Sequence, residues 1–202
     1  SNVIHWKQMI KDGKNASTAA EPYDPEHCCV VVHTGGTTGS PKGVMLTDRN
    51  FNSIAQQFGA YEQLFCRGQK LMNIMPPFIA YGYACGVHLP LVLGLKVVII
   101  PNLDPAKLGS LILKHRPEHM FGVPAHYQQI AADPKLKDKG LSFIRNYAAG
   151  GDAIALGAEE TVNHFLKEHG VQYPLAKGYG MTEVSSAATA AAGFNNKPGS
   201  VG

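Results

Sequence analysis

The sequence predicts an α/β fold, a mostly parallel sheet covered by helices on both faces. Three observations carry that reading. The apolar runs "CCVVV" (28–32), "KLMNIM" (70–75), "KVVIIP" (96–101) and "HMFGV" (119–123) are continuous rather than alternating, as strands buried on both faces are. Stretches of helical length, with helical start and stop signals, lie between them. The chain has 202 residues, 45% of them hydrophobic, which is enough for a core between a sheet and two helix layers.

Taken in order, residues 1–26 read as a polar lead-in with two prolines and no period, and 27–202 as one domain. Strands are expected at 28–32 and 44–47. Thr47 or Asp48 can cap a helix through "RNFNSIAQQFGAYEQLF". A strand over 70–75 stops at Pro76-Pro77, and a buried helix over 81–93 is expected despite Pro90. After the strand at 96–101, Asp104 can cap "PAKLGSLILKH", with Pro105 at the first helical position. A strand at 119–123 leads to a helix opening at Pro124, and "IRNYAAGG" (144–151) reads as strand then loop. A helix over 155–170 ends at Gly170, and "PLAKGYG" is a strand running into a glycine turn. The closing "NNKPGSVG" is a turn rather than a finished element, so a longer polypeptide is expected.

Composition narrows the function. Eighteen Lys plus Arg against fifteen Asp plus Glu leaves a net +3 with no basic run, so nucleic acid is not an expected partner. The longest apolar tract, "YACGVHLPLVLGLKVVII", contains His88, Pro90, two glycines and Lys96. It is no membrane span, and peripheral membrane contact stays open. Cys28, Cys29, Cys66 and Cys85 form neither a CxxC pair nor a disulfide framework. Cys28 and Cys29 fall in a run that reads as a buried strand, and a reducing, cytoplasmic setting is expected. Pro117 between His115 and His119 makes a helical zinc pair a poor reading. His164 and His169 read as surface residues.

The stretch "HTGGTTGSPKGVMLT" (33–47) is the densest in chemistry. Its glycines let backbone amides approach an anion. Thr34, Thr37, Thr38 and Ser40 add hydroxyls, and Lys42 adds a point charge suited to phosphate. It is not a Walker A loop, because Lys42 follows Pro41 and precedes Gly43. Polyphosphate is the ligand it suits, at a strand-to-loop position on the edge of a parallel sheet.

Five stretches together carry a resemblance: "TGGTTGSPKG" (34–43), "MPPFIAYGY" (75–83), "AAGGDAI" (148–154), "GYGMTE" (178–183) and "KPGSVG" (197–202). In this order they resemble the adenylate-forming, or AMP-binding, superfamily, most closely the acyl-CoA synthetases and long-chain fatty acid–CoA ligases. The resemblance covers 28–202 and implies the central part of a large N-terminal domain, without the small C-terminal domain and its catalytic lysine. It implies ATP-dependent activation of a carboxylic acid, probably fatty, to an acyl-adenylate with release of pyrophosphate. Thioesterification to CoA follows in the full-length enzyme, and Mg²⁺ assists. The fragment itself is then expected to be inactive or only nucleotide-binding. Transfer to a carrier protein, or a non-catalytic nucleotide-binding module, are the alternatives.

By the same resemblance Thr34, Gly35, Gly36, Thr37, Thr38, Gly39, Ser40 and Lys42 hold the outer phosphates. Gly150, Gly151 and Asp152 lie on the adenine side, and Gly178, Tyr179, Gly180 and Met181 carry the adenine-facing turn. Thr182 donates to the α-phosphate and Glu183 holds Mg²⁺; Thr182, Glu183 and Lys42 are the catalytic candidates. Phe78, Ile79, Tyr81 and Gly82 are the acid-pocket candidates. Ile79 stands where many relatives have a histidine, which makes that wall more apolar.

Overall fold

The structure, a computed structural model, describes residues 4–17, 22–34, 40–61 and 64–202. The lead-in contains a helix, α1 (Trp6–Gly13), with no buried residue; Trp6, Met9 and Ile10 are exposed. Strands β1 (Cys28–His33) and β2 (Gly43–Thr47) pair antiparallel in a separate two-stranded sheet. This corrects the expectation of a buried strand at 28–32. Cys28 is only half-buried, Cys29 is exposed, and Val31 and Met45 are also exposed. A two-stranded sheet covers one face only, so an unbroken apolar run still places alternate side chains outside. The inward residues Val32 and Leu46 pack with Phe51, Ala80 and Ala84.

Thr47 caps α2 (Asp48–Gly59) as expected: its Oγ1 accepts from the Asn50 amide at 3.4 Å, and Asn50 Oδ1 accepts from the Thr47 amide at 2.8 Å. The helix stops short of residue 65 and the chain turns at Ala60 and Tyr61. β3 (Lys70–Asn73) follows, then α3 (Ala80–Tyr83), a π-helical turn over Ala84–His88, and α4 (Leu89–Val92). Pro90 has no N–H for the helical ladder, and the π turn ahead of it absorbs the break.

The remaining strands are β4 (Lys96–Ile99), β5 (His119–Gly122), β6 (Asn146–Ala149), β7 (Ala176–Tyr179) and β8 (Thr189–Ala191). With β3 they form a six-stranded sheet in the order β4-β3-β5-β6-β7-β8. All neighbours are parallel except β7 and β8. One face carries Met72, Met120 and Tyr147 and is covered by α5 (Leu108–His115), α6 (Pro124–Ala132) and α7 (Leu156–Glu168). The other face carries Leu71 and Phe121 and packs against Ala55 of α2, Cys85 and Leu89. Gly170 follows α7 at φ +80°, the left-handed stop its sequence position suggested. His164 lies on the surface beside Glu168. His169 does not: its ring stacks on Phe165 at 4.0 Å, and Nε2 lies 3.0 Å from the Leu136 carbonyl. No helix among the described residues is long and apolar enough to cross a membrane.

Candidate nucleotide and acid site

Side chains alternate along a strand, and register partners across a parallel ladder share a face. On the face toward α2, β5 presents Phe121, β6 presents Asn146 and Ala148, β7 presents Ala176 and Gly178, and β8 presents Ala190. The β3–β5 half of that face is filled by Leu71 and Phe121. The β6–β8 half carries almost nothing larger than alanine. A trough results, roofed by Phe58, Tyr61, Leu64 and Phe65, and it encloses a cavity of about 200 Å³. Its mouth lies at the carboxyl ends of the parallel strands, the usual ligand position of an α/β sheet.

Three turns frame that mouth. After β6, the Gly150 amide donates to the Gly122 carbonyl at 3.0 Å, and Gly151 adopts φ +78°. Asp152 is exposed, and its Oδ1 accepts from the Ala153 amide at 2.8 Å. After β7, Tyr179 is half-exposed, and a Cβ on Gly180 would stand 1.5 Å from the Ser186 carbonyl oxygen. A 3-10 turn over Thr182–Val184 follows, then Ser185 and Ser186 at φ 65° and 138°, both buried. Two consecutive left-handed non-glycine residues mark a strained segment of the kind found at ligand sites.

The third turn joins β1 to β2. The Thr34 amide donates to the Lys42 carbonyl at 2.9 Å and closes the hairpin. Gly35, Gly36, Thr37, Thr38 and Gly39 lie outside the described residues. Ser40 and Lys42 are exposed, and β2 lies against the Thr182–Val184 turn. The phosphate-type loop therefore stands at the tip of an antiparallel hairpin, not on the edge of the parallel sheet. "GVMLT" pairs back on "CCVVVH" instead of feeding a helix.

Inside the mouth, the Tyr81 hydroxyl donates toward the Gly122 and Ala148 carbonyls at 3.2 and 3.4 Å. Burial drives its pKa well above the phenol range, so it stays a neutral donor. Cys85 Sγ lies 3.4 Å from Ser186 Oγ. Burial pushes that thiol up to about 11, against the opposing pull of the Ser186 contact, so it is no nucleophile at neutral pH. Ile79 and Tyr81 line the cavity. Phe78 is 79% exposed and does not. Nor does Gly82, whose Cβ position lies 1.9 Å from the Pro76 carbonyl oxygen; that glycine shapes the turn.

Among the described residues no group of three or more His, Cys, Asp or Glu is assembled for a metal. Glu183 is a single exposed carboxylate beside Thr182. That donor set fits Mg²⁺, which takes one or two carboxylates together with substrate phosphates. Sequence reasoning did not single out Asn146, Phe121, Ala148, Cys85 or Ser186 as cavity residues. The one available signal was the run of small residues in "SSAATAAAG" (185–193).

The fold has close relatives of known structure. ATP-bound MatB from Rhodopseudomonas palustris superposes with a TM-score of 0.78 at 22% identity, over 92% of this chain and 35% of that one. The model of the AMP-binding enzyme family matches residues 3–202, and the chain belongs to that family. It is 32% identical to the long-chain-fatty-acid–CoA ligase of Bacillus subtilis over 205 residues, covering 100% of this chain and 36% of that protein. It is 28% identical to 4-coumarate–CoA ligase 1 of Solanum tuberosum over 201 residues, covering 96% of this chain and 35% of that protein. The chain thus spans about a third of the length of the curated relatives it matches.

Proposed function

We propose that this chain is the central part of the large domain of an AMP-forming acid–thiol ligase. The reaction joins a carboxylic acid to AMP, with pyrophosphate as the leaving group, and then passes the acyl group to CoA. One observation supports this above the others: the Gly150 and Gly180–Glu183 turns meet over the mouth of a blind apolar cavity at the carboxyl ends of the strands. A polar nucleotide at the mouth and an apolar acid within is the arrangement that such chemistry needs.

In the first step a carboxylate oxygen attacks the α-phosphorus, and the bond from that phosphorus to the bridging oxygen of pyrophosphate breaks. Two anions must be brought together in line. Lys42, with Thr34, Ser40 and the amides of 35–39, neutralises and holds the outer phosphates. Thr182 donates to an α-phosphate oxygen. Gly180 brings backbone close to the nucleotide, and the Tyr179 ring offers the adenine a flat apolar face. Mg²⁺, held by Glu183, supplies further charge neutralisation when bound. In the second step the CoA sulfur attacks the acyl carbonyl and AMP leaves. A cytoplasmic location agrees with the free thiols of Cys28, Cys29, Cys66 and Cys85.

The test is acid-dependent exchange of labelled pyrophosphate into ATP, run across fatty and aryl acids on the protein expressed over its full reading frame. Exchange that requires an acid is expected; none with any acid overturns the proposal. Lys42→Ala should weaken ATP at least about tenfold, the scale of a charge-assisted hydrogen bond. AMP should be affected far less, and equal weakening of both would remove Lys42 from the outer phosphates.

A further inference from the structure

We propose that the cavity takes a carboxylic acid bearing a hydroxyl at its far end, and that Asn146 is the residue that reads it. The inference rests on the adenylation reading above and names its substrate class. Asn146 is 6% exposed and lines the cavity. Among the described residues its carboxamide makes no hydrogen bond, although its surroundings are Phe58, Leu64, Phe65, Phe121, Ala148 and Ala176. A buried amide in apolar company is costly unless something bonds it. The other polar groups within the cavity are engaged: the Tyr81 hydroxyl with two carbonyls, Ser186 with Cys85.

Asn146 opens β6, and Gly150 follows its end. At about 3.3 Å per residue the two are about 13 Å apart along the strand, on the same face. The free amide therefore stands at the opposite end from the nucleotide turns. Beside it across the ladder is His119, fully buried, with Nδ1 unpartnered. Gln69 Oε1 accepts from the Cys66 amide at 2.7 Å and lies 2.7 Å from His119 Nε2. Nε2 must therefore carry the proton, and Nδ1 is a bare acceptor. A hydroxyl both donates and accepts, which matches an amide beside an acceptor. A second carboxylate would meet no cation here, because Lys177 projects from the other face of the sheet onto Glu159. Size agrees: a cavity of about 150 Å³ holds benzene, so about 200 Å³ holds an aryl ring on a short linker or a medium chain.

The test compares matched acids by pyrophosphate exchange on the protein expressed over its full reading frame: para-hydroxyphenylpropanoic against phenylpropanoic acid, and ω-hydroxyoctanoic against octanoic acid. The hydroxylated member of at least one pair should have the higher kcat/KM, by about tenfold, the scale of one buried hydrogen bond. Asn146→Leu and Asn146→Ala should collapse that ratio to about one. The ratio does not depend on how much of a variant folds. Exchange with no preference in either pair, or a ratio that survives both substitutions, overturns the assignment while leaving adenylation standing. No exchange with any acid overturns both.

Discussion

Gly180 occupies a place that no side chain fits, since a Cβ there would stand 1.5 Å from the backbone oxygen of Ser186. The obstruction is main chain, and that main chain is already committed: Ser186 sits at φ 138°, buried, its amide 3.3 Å from the Met181 carbonyl. An alanine must therefore push apart the turn that carries Thr182 and Glu183, rather than displace a flexible neighbour. Gly180→Ala is expected to cost at least about 2 kcal/mol, in the upper range for a single substitution. It should also abolish binding of an acyl-adenylate mimic by the protein that still folds. Urea midpoints and calorimetric titration read the two effects separately; a variant of unchanged midpoint and unchanged affinity would mean that the turn is softer than its contacts require. Gly151, by contrast, has a Cβ position 3.8 Å from its nearest neighbour, so its constraint is φ +78° rather than space.

At the scale of elements, β7 is held from behind. Lys177, 2% exposed, pairs with Glu159 of α7, 3% exposed, and Lys177 Nζ also donates to the Lys197 carbonyl at 3.0 Å. Glu159 Oε2 accepts from the Gly199 amide at 3.3 Å, and Thr189 Oγ1 donates to the Val201 carbonyl at 2.8 Å. One buried ion pair thus ties α7, β7 and the 196–202 stretch together directly behind Gly178 and Tyr179. Lys177→Met alone should cost about 3–5 kcal/mol by leaving a buried carboxylate unpaired, while Lys177→Met with Glu159→Leu should recover most of that loss. Denaturant unfolding of the two single variants and the double variant measures it, and an additive double variant would refute the coupling. Nothing in the sequence marks Lys177 as buried, because a lysine between an alanine and a glycine reads as a solvated side chain. The elements that were legible had local causes: the Thr47 cap, the Gly170 stop, and the unbroken apolar runs of β3, β4 and β5. The elements that were not have tertiary causes. β8 is three residues of weak strand propensity that exist by pairing with β7. The hairpin differs from a buried parallel strand only in what lies outside it. The site divides the same way, since the turns could be read from glycine spacing. The cavity could not, because it depends on which alanines of separate strands share one face.

The whole molecule places its one deeply buried histidine between two helix layers, and that couples its stability to pH. His119 starts β5 in the middle of the sheet, with its ring 4.7 Å from Phe65 and Nε2 on Gln69. Burial, helped by the positive charge of Arg145, lowers its pKa to about 4 from an ordinary 6.5. The unfolded chain regains the ordinary value, so below about 6.5 the unfolded state takes up a proton that the native state refuses. Stability is therefore full above that pH, falls as the pH drops through the window, and levels off below about 4. Over the whole window the loss is about 3 kcal/mol, and about 2 kcal/mol of it is spent between neutrality and pH of about 5. Urea unfolding at those two pH values should show a lower midpoint in acid. His119→Gln, neutral throughout, should remove most of the difference whatever its own absolute stability, because only the pH dependence is compared. If the variant keeps the full dependence, the protons are taken up elsewhere and the buried imidazole is not the group that sets acid stability.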